Sequence, residues 1–203
     1  MGAQETRPSL LRRVRDQHDD AAWREFDARY RGLILRYCRR MGARPGDAED
    51  VLQLVLMRLM KALPGFRYDA SRGRFRTYLG QVVRSSLVDH LRRSSQQSMG
   101  AAPIDTERWR RIADDAAQAE AEAIWQQEWM GEHYRRALET VRQRHRPLTV
   151  DIFERVLAGE PVDHVAKRFG TTAAAVHKIK QRIRDQLSAT IGEQIEVEDR
   201  PGA

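Results

Sequence analysis

Apolar residues recur at steps of three and four along most of this chain, and nowhere do they alternate with period two. The first spacing lines up apolar side chains on one stripe of a helix, whereas a half-buried strand needs alternation. The chain is therefore predicted to be all-α, with helices that bury their stripes against one another. Its 203 residues suit one medium domain or two small ones.

The N-terminal block is predicted to contain three long helices, at about 20–41, 47–63 and 75–93. Apolar stripes define the helices, and the glycines and prolines between them mark where they end. In the second helix, Met60 is expected to widen the buried stripe. The three helices are predicted to form a bundle, which is the first domain, residues 1–93.

Asp47, Glu49 and Asp50 crowd the start of the second helix, although the chain as a whole is basic. It carries 36 Lys and Arg against 29 Asp and Glu. Acids in a first helical turn interact favourably with the helix dipole, by about 0.3 to 1 kcal/mol each at exposed sites. The alternative is that a partner protein binds these acids.

The segment from Pro64 to Tyr78 mixes arginines with aromatic residues. Its arginines are Arg67, Arg72, Arg74 and Arg76, and its aromatic residues are Phe66, Tyr68, Phe75 and Tyr78. Guanidinium groups neutralise phosphates and exposed rings stack on unpaired bases, so the composition fits single-stranded nucleic acid. The alternative is that Phe66 and Phe75 pack at the helix ends while the arginines are solvated.

A partly helical linker is predicted at residues 94–131, beginning with small polar residues and continuing with helix formers. Gly131 is a candidate break in its helix. Trp125 and Trp129 are predicted to pack on the C-terminal domain, with binding to a partner protein as the alternative. The C-terminal domain is predicted at residues 132–192 and an acidic tail at 193–203.

The most specific motif lies between Pro161 and Leu187, where two apolar stripes flank Gly170. A short helix, a glycine turn and a second helix capped by Thr171 or Thr172 have the spacing of a helix-turn-helix. The second helix is expected from about 172 to 188, with Val176, Ile179, Ile183 and Leu187 inward and Thr172, Ala173, His177, Lys178, Gln181 and Arg182 outward. The alternative is an ordinary helical hairpin with a solvated charged face.

Several classes of function are excluded by the residues. Cys38 is the only cysteine, which excludes intramolecular disulfides and cysteine-rich zinc sites. The chain has no glycine-rich phosphate loop, helical zinc-binding His pair or nucleophile elbow, so no enzyme, cofactor or metal site is expected. It also has no apolar run of the length of a membrane span or signal peptide, so membrane insertion is not expected and the predicted location is cytoplasmic.

Together these features resemble the sigma-70 family of bacterial transcription initiation factors, in its small two-domain extracytoplasmic-function group. The resemblance covers about residues 9–93 and 132–191. It is carried by AWREFDARYRGLILRYCRRMG, DAEDVLQLVLMRLMK, RGRFRTYLGQVVRSSLVDHLRR and the helix-turn-helix. It implies an alternative sigma factor that directs core RNA polymerase to promoters through domain 2 and domain 4, and it admits an anti-sigma factor as a further partner.

The resemblance implies three sets of site residues. Contacts to core RNA polymerase are expected from Asp47, Glu49, Asp50 and Gln53. Contacts to the single-stranded -10 promoter element are expected from Arg67, Arg72, Arg74, Arg76, Tyr78, Gln81 and Arg84. Contacts to the double-stranded -35 element are expected from Thr172, Ala173, His177, Lys178, Gln181 and Arg182.

The chain departs from the usual family pattern at Leu54, Tyr78, Ser85, Ser86 and Thr171. Two other functions remain as alternatives. One is a helix-turn-helix regulator that binds operator DNA and uses the N-terminal bundle for dimerisation or sensing. The other is a helical adaptor that binds only protein.

Overall fold

A computed structural model describes residues 10–65, 75–97 and 118–199, with side chains described as far as residue 94 in the second range and 198 in the third. The regular elements in these ranges are all helical, as predicted. In chain order the helices are α1 (Leu10–Arg13), α2 (Asp20–Arg40), α3 (Pro45–Ala62), α4 (Phe75–Gln97), α5 (Gln118–Arg144), α6 (Pro147–Leu157), α7 (Val162–Arg168) and α8 (Ala173–Asp199). Among the described residues, no helix is long and apolar enough to cross a membrane.

The chain divides into two compact units. The first comprises Met1–Met130 and Val197–Ala203, and the second comprises Gly131–Glu196. Helix α5 begins in the first unit, ends in the second and continues through Gly131, so the break predicted there is absent. Helix α8 continues beyond its predicted end to Asp199.

The first unit packs α1 to α4 and the first half of α5 around one apolar core. Asp19 caps α2, because its Oδ1 accepts a hydrogen bond of 2.8 Å from the backbone N–H of Ala22. Gly42, with a φ of 103°, ends that helix, and α3 then packs against both α2 and α4. The prediction for Met60 is wrong, since its side chain is 38% exposed and lies on the solvent face of α3.

The linker tryptophans belong to the core of the first unit. The Trp125 ring meets Tyr37 edge-on at 5.3 Å, and the Trp129 ring stacks on Tyr30 at 5.9 Å. The prediction that they pack on the C-terminal domain is therefore wrong. Apolar spacing showed which face of α5 is buried, but the aromatic rings of α2 provide the partner. Truncating such a buried ring to alanine typically costs about 3 to 5 kcal/mol, so α5 is firmly attached to the bundle.

Gly80 allows α4 and α5 to approach closely. A Cβ atom at this position would lie 2.7 Å from Nε1 of Trp125, so only glycine leaves room for the indole. The same Nε1 donates a hydrogen bond of 3.0 Å to the backbone oxygen of Arg76. On the other side of α5, the carboxylate of Glu128 pairs with Arg36 at 3.2 Å and with Arg40 at 3.1 Å.

The second unit contains two apolar clusters, built by α6 to α8 and the second half of α5. Val165 and Ala166 of α7 pack in one cluster with Val176 of α8, whereas Ile183 and Leu187 pack in the other. These α8 residues are buried as predicted. Ile179 is partly buried and packs against both clusters.

The turn between α7 and α8 has the predicted chemistry. Gly170 adopts a φ of +60°, the left-handed conformation that glycine accepts without strain. Of the two threonines expected as the cap of α8, Thr172 is the one that caps it. Its Oγ1 accepts a hydrogen bond of 3.2 Å from the backbone N–H of Ala175. The order helix, glycine turn and capped helix is therefore that of the predicted helix-turn-helix.

Candidate functional site

The acid-rich start of α3 is tied to two neighbouring helices. Pro45 is its first residue and the N-cap residue Arg44 makes no side-chain capping bond, so Asp47 in the first turn supplies the negative charge that stabilises the positive end of the helix dipole. Asp47 Oδ1 lies 3.0 Å from His90 Nε2 of α4, and Glu49 Oε2 lies 3.0 Å from Arg31 Nη1 of α2. Both acids therefore connect helices within the bundle, which the sequence did not reveal.

Further along α3, four residues share an exposed stripe: Asp50, Gln53, Met57 and Met60. Within the described part of the chain, neither Asp50 nor Gln53 has an ion pair or a side-chain hydrogen bond. Met57 is 52% exposed, and flexible thioether side chains adapt to the surfaces of partner proteins. This α3 stripe therefore combines a charged start with an apolar end, a composition suited to protein binding.

The expected -10 residues are only partly within the described ranges. Arg67, Arg72 and Arg74 lie outside them. Tyr78 is half-buried in the first unit, where its ring lies 6.3 Å from that of Phe75 and burial raises the pKa of its hydroxyl. Of the two rings that the alternative expected at the helix ends, Phe75 is buried at the start of α4, and Phe66 lies outside the described residues.

Three more of these residues lie on α4. Arg76 is half-buried, and its Nε is buried without a hydrogen-bond partner among the described residues. Gln81 is exposed and Arg84 is half-buried, one turn further along the same helix. Arg84 makes no ion pair with a described residue, and its Nε is also buried without a partner.

A groove of about 350 Å³ runs between α4 and the first turns of α5. Its α4 wall includes Gln81, Arg84 and Ser85, and its α5 wall includes Glu122 and Trp125. The groove is thus lined by amide, hydroxyl and charged groups on a floor that is partly aromatic. Two of the expected -10 residues therefore share one concave, polar site.

Tyr37 also lines this groove, and two opposite charges act on its hydroxyl. Burial raises the pKa of Tyr37 strongly, the positive charge of Arg84 lowers it, and the negative charge of Glu122 raises it.

A neighbouring contact holds α4 in place. The guanidinium of Arg58 on α3 donates hydrogen bonds to Ser85 Oγ at 3.2 Å and to Ser86 Oγ at 3.1 Å, and it also pairs with Asp89. The two serines at which the chain departs from the family pattern thus serve as acceptors for an arginine of the adjacent helix.

In the second unit, the expected -35 residues lie on the accessible side of α8. Thr172, His177, Lys178, Gln181 and Arg182 are exposed, and Ala173 is half-buried. They follow the capped N-terminus of the helix, which is the end that a helix-turn-helix presents to DNA. The side-chain amide of Gln181 is held by Asp185, with Nε2 donating to Oδ1 at 2.8 Å, so it must exchange this partner before it can contact a base.

The described residues contain no group of three or more His, Cys, Asp and Glu side chains placed to hold a metal ion.

Comparison with known proteins agrees with this geometry. The sequence model of the family described as Sigma-70 region 2 matches residues 26–97, which include most of α2 and all of α3 and α4. The ECF RNA polymerase sigma factor SigE of Mycolicibacterium smegmatis is 23% identical over 174 residues. That alignment covers 85% of this chain and 64% of the relative, so the chain spans less than two thirds of that protein's length.

Residues 26–97 of the first unit thus match the family described as Sigma-70 region 2, and the chain is similar to a protein named as an ECF RNA polymerase sigma factor. Both findings agree with the resemblance in the sequence.

Proposed function

We propose that this protein is an alternative sigma factor that binds core RNA polymerase, directs it to specific promoters and helps to open the -10 region. The main support is that one chain carries a region 2 match over residues 26–97 and, downstream, a capped helix-turn-helix in α7 and α8. In this proposal residues 1–93, with the start of α5, act as domain 2, and residues 132–192 act as domain 4. The protein works by binding, without enzymatic turnover, in the cytoplasm.

The α3 stripe is the proposed docking surface for core polymerase. Asp50 and Gln53 are exposed and have no partner among the described residues, so binding them breaks no contact within the bundle. Asp47 and Glu49 already bridge to other helices, and we assign them a supporting role that fixes α3. A basic patch on the polymerase would be attracted to the acidic start of the stripe, and an adjoining apolar patch on the polymerase would cover the two methionines.

The proposed -10 site consists of Gln81 and Arg84 of α4, with Arg76 and Tyr78 at the helix start. Arg67, Arg72 and Arg74 of the preceding loop complete it in this proposal. Cationic side chains neutralise the strand's phosphates, and single-stranded bases are read by hydrogen bonds to their unpaired edges. The guanidinium of Arg84 supports this assignment, because it makes no ion pair with a described residue and its buried Nε needs a hydrogen-bond partner.

The exposed face of α8 is the proposed -35 reader. Lys178 suits hydrogen bonding to guanine and Gln181 suits bidentate pairing with adenine, contacts worth about 1 to 3 kcal/mol of discrimination each. Arg182 is exposed nearby and is assigned to a phosphate, which fixes position without reading sequence.

Promoter-dependent run-off transcription with purified core polymerase tests the proposal. Adding the chain should produce a defined transcript from a matching promoter, and core polymerase alone should not. An operator-binding regulator would bind duplex DNA but would not enable core polymerase to initiate. A protein-binding adaptor would do neither. Co-purification with an inhibitory protein would identify the proposed anti-sigma partner.

A further inference from the structure

The guanidinium of Arg58 on α3 reaches the side of α4 that carries the proposed -10 residues. Two of its hydrogen-bond acceptors, Ser85 and Asp89, line the same groove as two of those residues, whereas Arg58 itself does not line it. We infer that Arg58 is a positioning residue of the -10 site, which neutralises the Asp89 carboxylate so that this acid does not repel the promoter strand. The inference rests on the proposed sigma-factor function.

Asp89 lies among the groups that are proposed to bind DNA. Gln81, Ser85 and Asp89 follow one another at steps of four along α4, so they share one side of the helix. Arg84 lines the same groove, and the Asp89 side chain is 40% exposed. Each phosphate of a DNA strand carries a negative charge, and an unpaired carboxylate here would repel it. The acid must therefore be neutralised if Arg84 is to attract a phosphate nearby.

Arg58 supplies the neutralising charge. Its Nη2 pairs with Oδ2 of Asp89, and among the described residues no other cation pairs with that carboxylate. The neighbouring Arg93 donates its Nε to the backbone oxygen of Asp89, at 3.3 Å. Hydrogen bonds between two ionised groups are about twice as strong as those between neutral groups. The charge of Asp89 is thus matched by one arginine that comes from another helix.

Two serines fix the direction of the Arg58 side chain. Its Nη1 donates to Ser85 Oγ at 3.2 Å and to Ser86 Oγ at 3.1 Å, and Ser86 is fully buried. The hydroxyl of Ser85 donates in turn to the backbone oxygen of Val82 at 3.1 Å, which leaves its lone pairs for Arg58. Because the guanidinium is planar and rigid, it cannot turn away from Asp89 without losing these serine contacts as well.

The alternative is that this contact only links α3 to α4, and the two roles predict different effects of single substitutions. Arg58→Gln leaves Asp89 unpaired beside the strand, so promoter affinity should fall about 2- to 10-fold at low salt. Asp89→Asn removes the repelling charge, so this variant should bind at least as tightly as the wild type. A purely structural link predicts that both variants bind more weakly, because both break the same contact.

The double variant Arg58→Gln, Asp89→Asn removes both charges. Its promoter affinity should return to within about twofold of the wild type, because no unpaired carboxylate is left to repel the strand. The deficit of Arg58→Gln alone should also shrink as the salt concentration rises, since salt screens repulsion between charges at the surface. A defect in packing would not be restored by Asp89→Asn and would not be screened.

The assay is promoter binding by holoenzyme, reconstituted from core polymerase and the full-length chain, on a promoter that the wild type transcribes. Lys61→Gln is the matched control, because Lys61 is exposed on the same helix and makes no ion pair with a described residue. It removes one positive charge, as Arg58→Gln does, and should change affinity by less than about twofold. Circular dichroism and a pull-down with core polymerase verify that each variant is folded and forms holoenzyme.

The outcomes separate the inference from the function on which it rests. A salt-sensitive loss in Arg58→Gln that Asp89→Asn restores, with Lys61→Gln unaffected, supports the inference. Equal losses in Arg58→Gln and Asp89→Asn overturn it, as do wild-type affinity in Arg58→Gln, an equal loss in Lys61→Gln or a loss of core binding in Arg58→Gln. These results leave the sigma-factor function standing. If the wild-type chain supports no promoter-dependent transcription, both the function and the inference are wrong.

Discussion

Replacing Gly80 by alanine tests whether the α4–α5 contact is as close as described. The new Cβ would lie 2.7 Å from Nε1, 2.9 Å from Cδ1 and 3.0 Å from Cε2 of Trp125, so the indole must move. Overpacking costs about 1 to 3 kcal/mol and the lost indole hydrogen bond about 1 kcal/mol. Alanine is favoured over glycine inside a helix by up to about 1 kcal/mol. The expected net loss of unfolding free energy is therefore about 1 to 3 kcal/mol.

Urea unfolding followed by tryptophan fluorescence measures this loss, because the described tryptophans, Trp23, Trp125 and Trp129, all pack in or against the core of the first unit. Gly46→Ala is the matched control in α3. A Cβ there meets nothing within 4 Å, so the change should be neutral or stabilising by up to about 1 kcal/mol. In a Trp125→Phe background the smaller ring leaves room for the new Cβ, so Gly80→Ala should cost at least about 1 kcal/mol less than in the wild type. If Gly80→Ala stabilised the protein as Gly46→Ala does, the described contact would be wrong.

Three further predictions concern the other surfaces and the core. Asp50→Lys should weaken core-polymerase binding at least about tenfold in a pull-down, while its helicity by circular dichroism stays unchanged. Asp20→Lys, which changes an exposed acid at the start of α2, should leave binding unchanged. Equal binding of the two variants would contradict the docking assignment. Gln181→Ala should relax the -35 preference in a randomised library, whereas Arg182→Ala should weaken all promoters alike and reduce the salt slope by about 0.9. Burial raises the pKa of the Cys38 thiol from 9.0 to about 12, so a thiol reagent at pH 8 should label it only on unfolding. Because the folded thiol keeps a proton that the unfolded one loses, its contribution to stability should decline as pH rises from about 9 toward 12, and rapid labelling of the native protein would contradict its burial.

Helix positions were predictable because apolar spacing and terminating residues act locally. Helix α2 was expected at about 20–41 and is observed at Asp20–Arg40, and the left-handed Gly170 was expected from its place between two stripes. These features depend on residues a few positions apart. The sequence therefore contained what was needed to place them.

Contacts between distant segments were not predictable in the same way. The periodicity of α5 identified Trp125 and Trp129 as buried but carried no information on which helix covers them. Likewise, the pairing of Asp47 with His90 joins residues that are 43 positions apart in the chain, and nothing in the sequence marks His90 as the partner of that acid. The close approach at Gly80 gave no signal, because a glycine inside a helix reads only as a weak helix former.

The continuity of α5 affects how this protein can be divided or recombined with its relatives. The helix supplies Trp125 and Trp129 to one hydrophobic core and Ala137 and Val141 to the other. A truncation before Gln118 would remove both indoles and expose the aromatic rings of α2. Chimeric proteins that exchange C-terminal halves should therefore place the junction at Gly131, where each core keeps its own side chains.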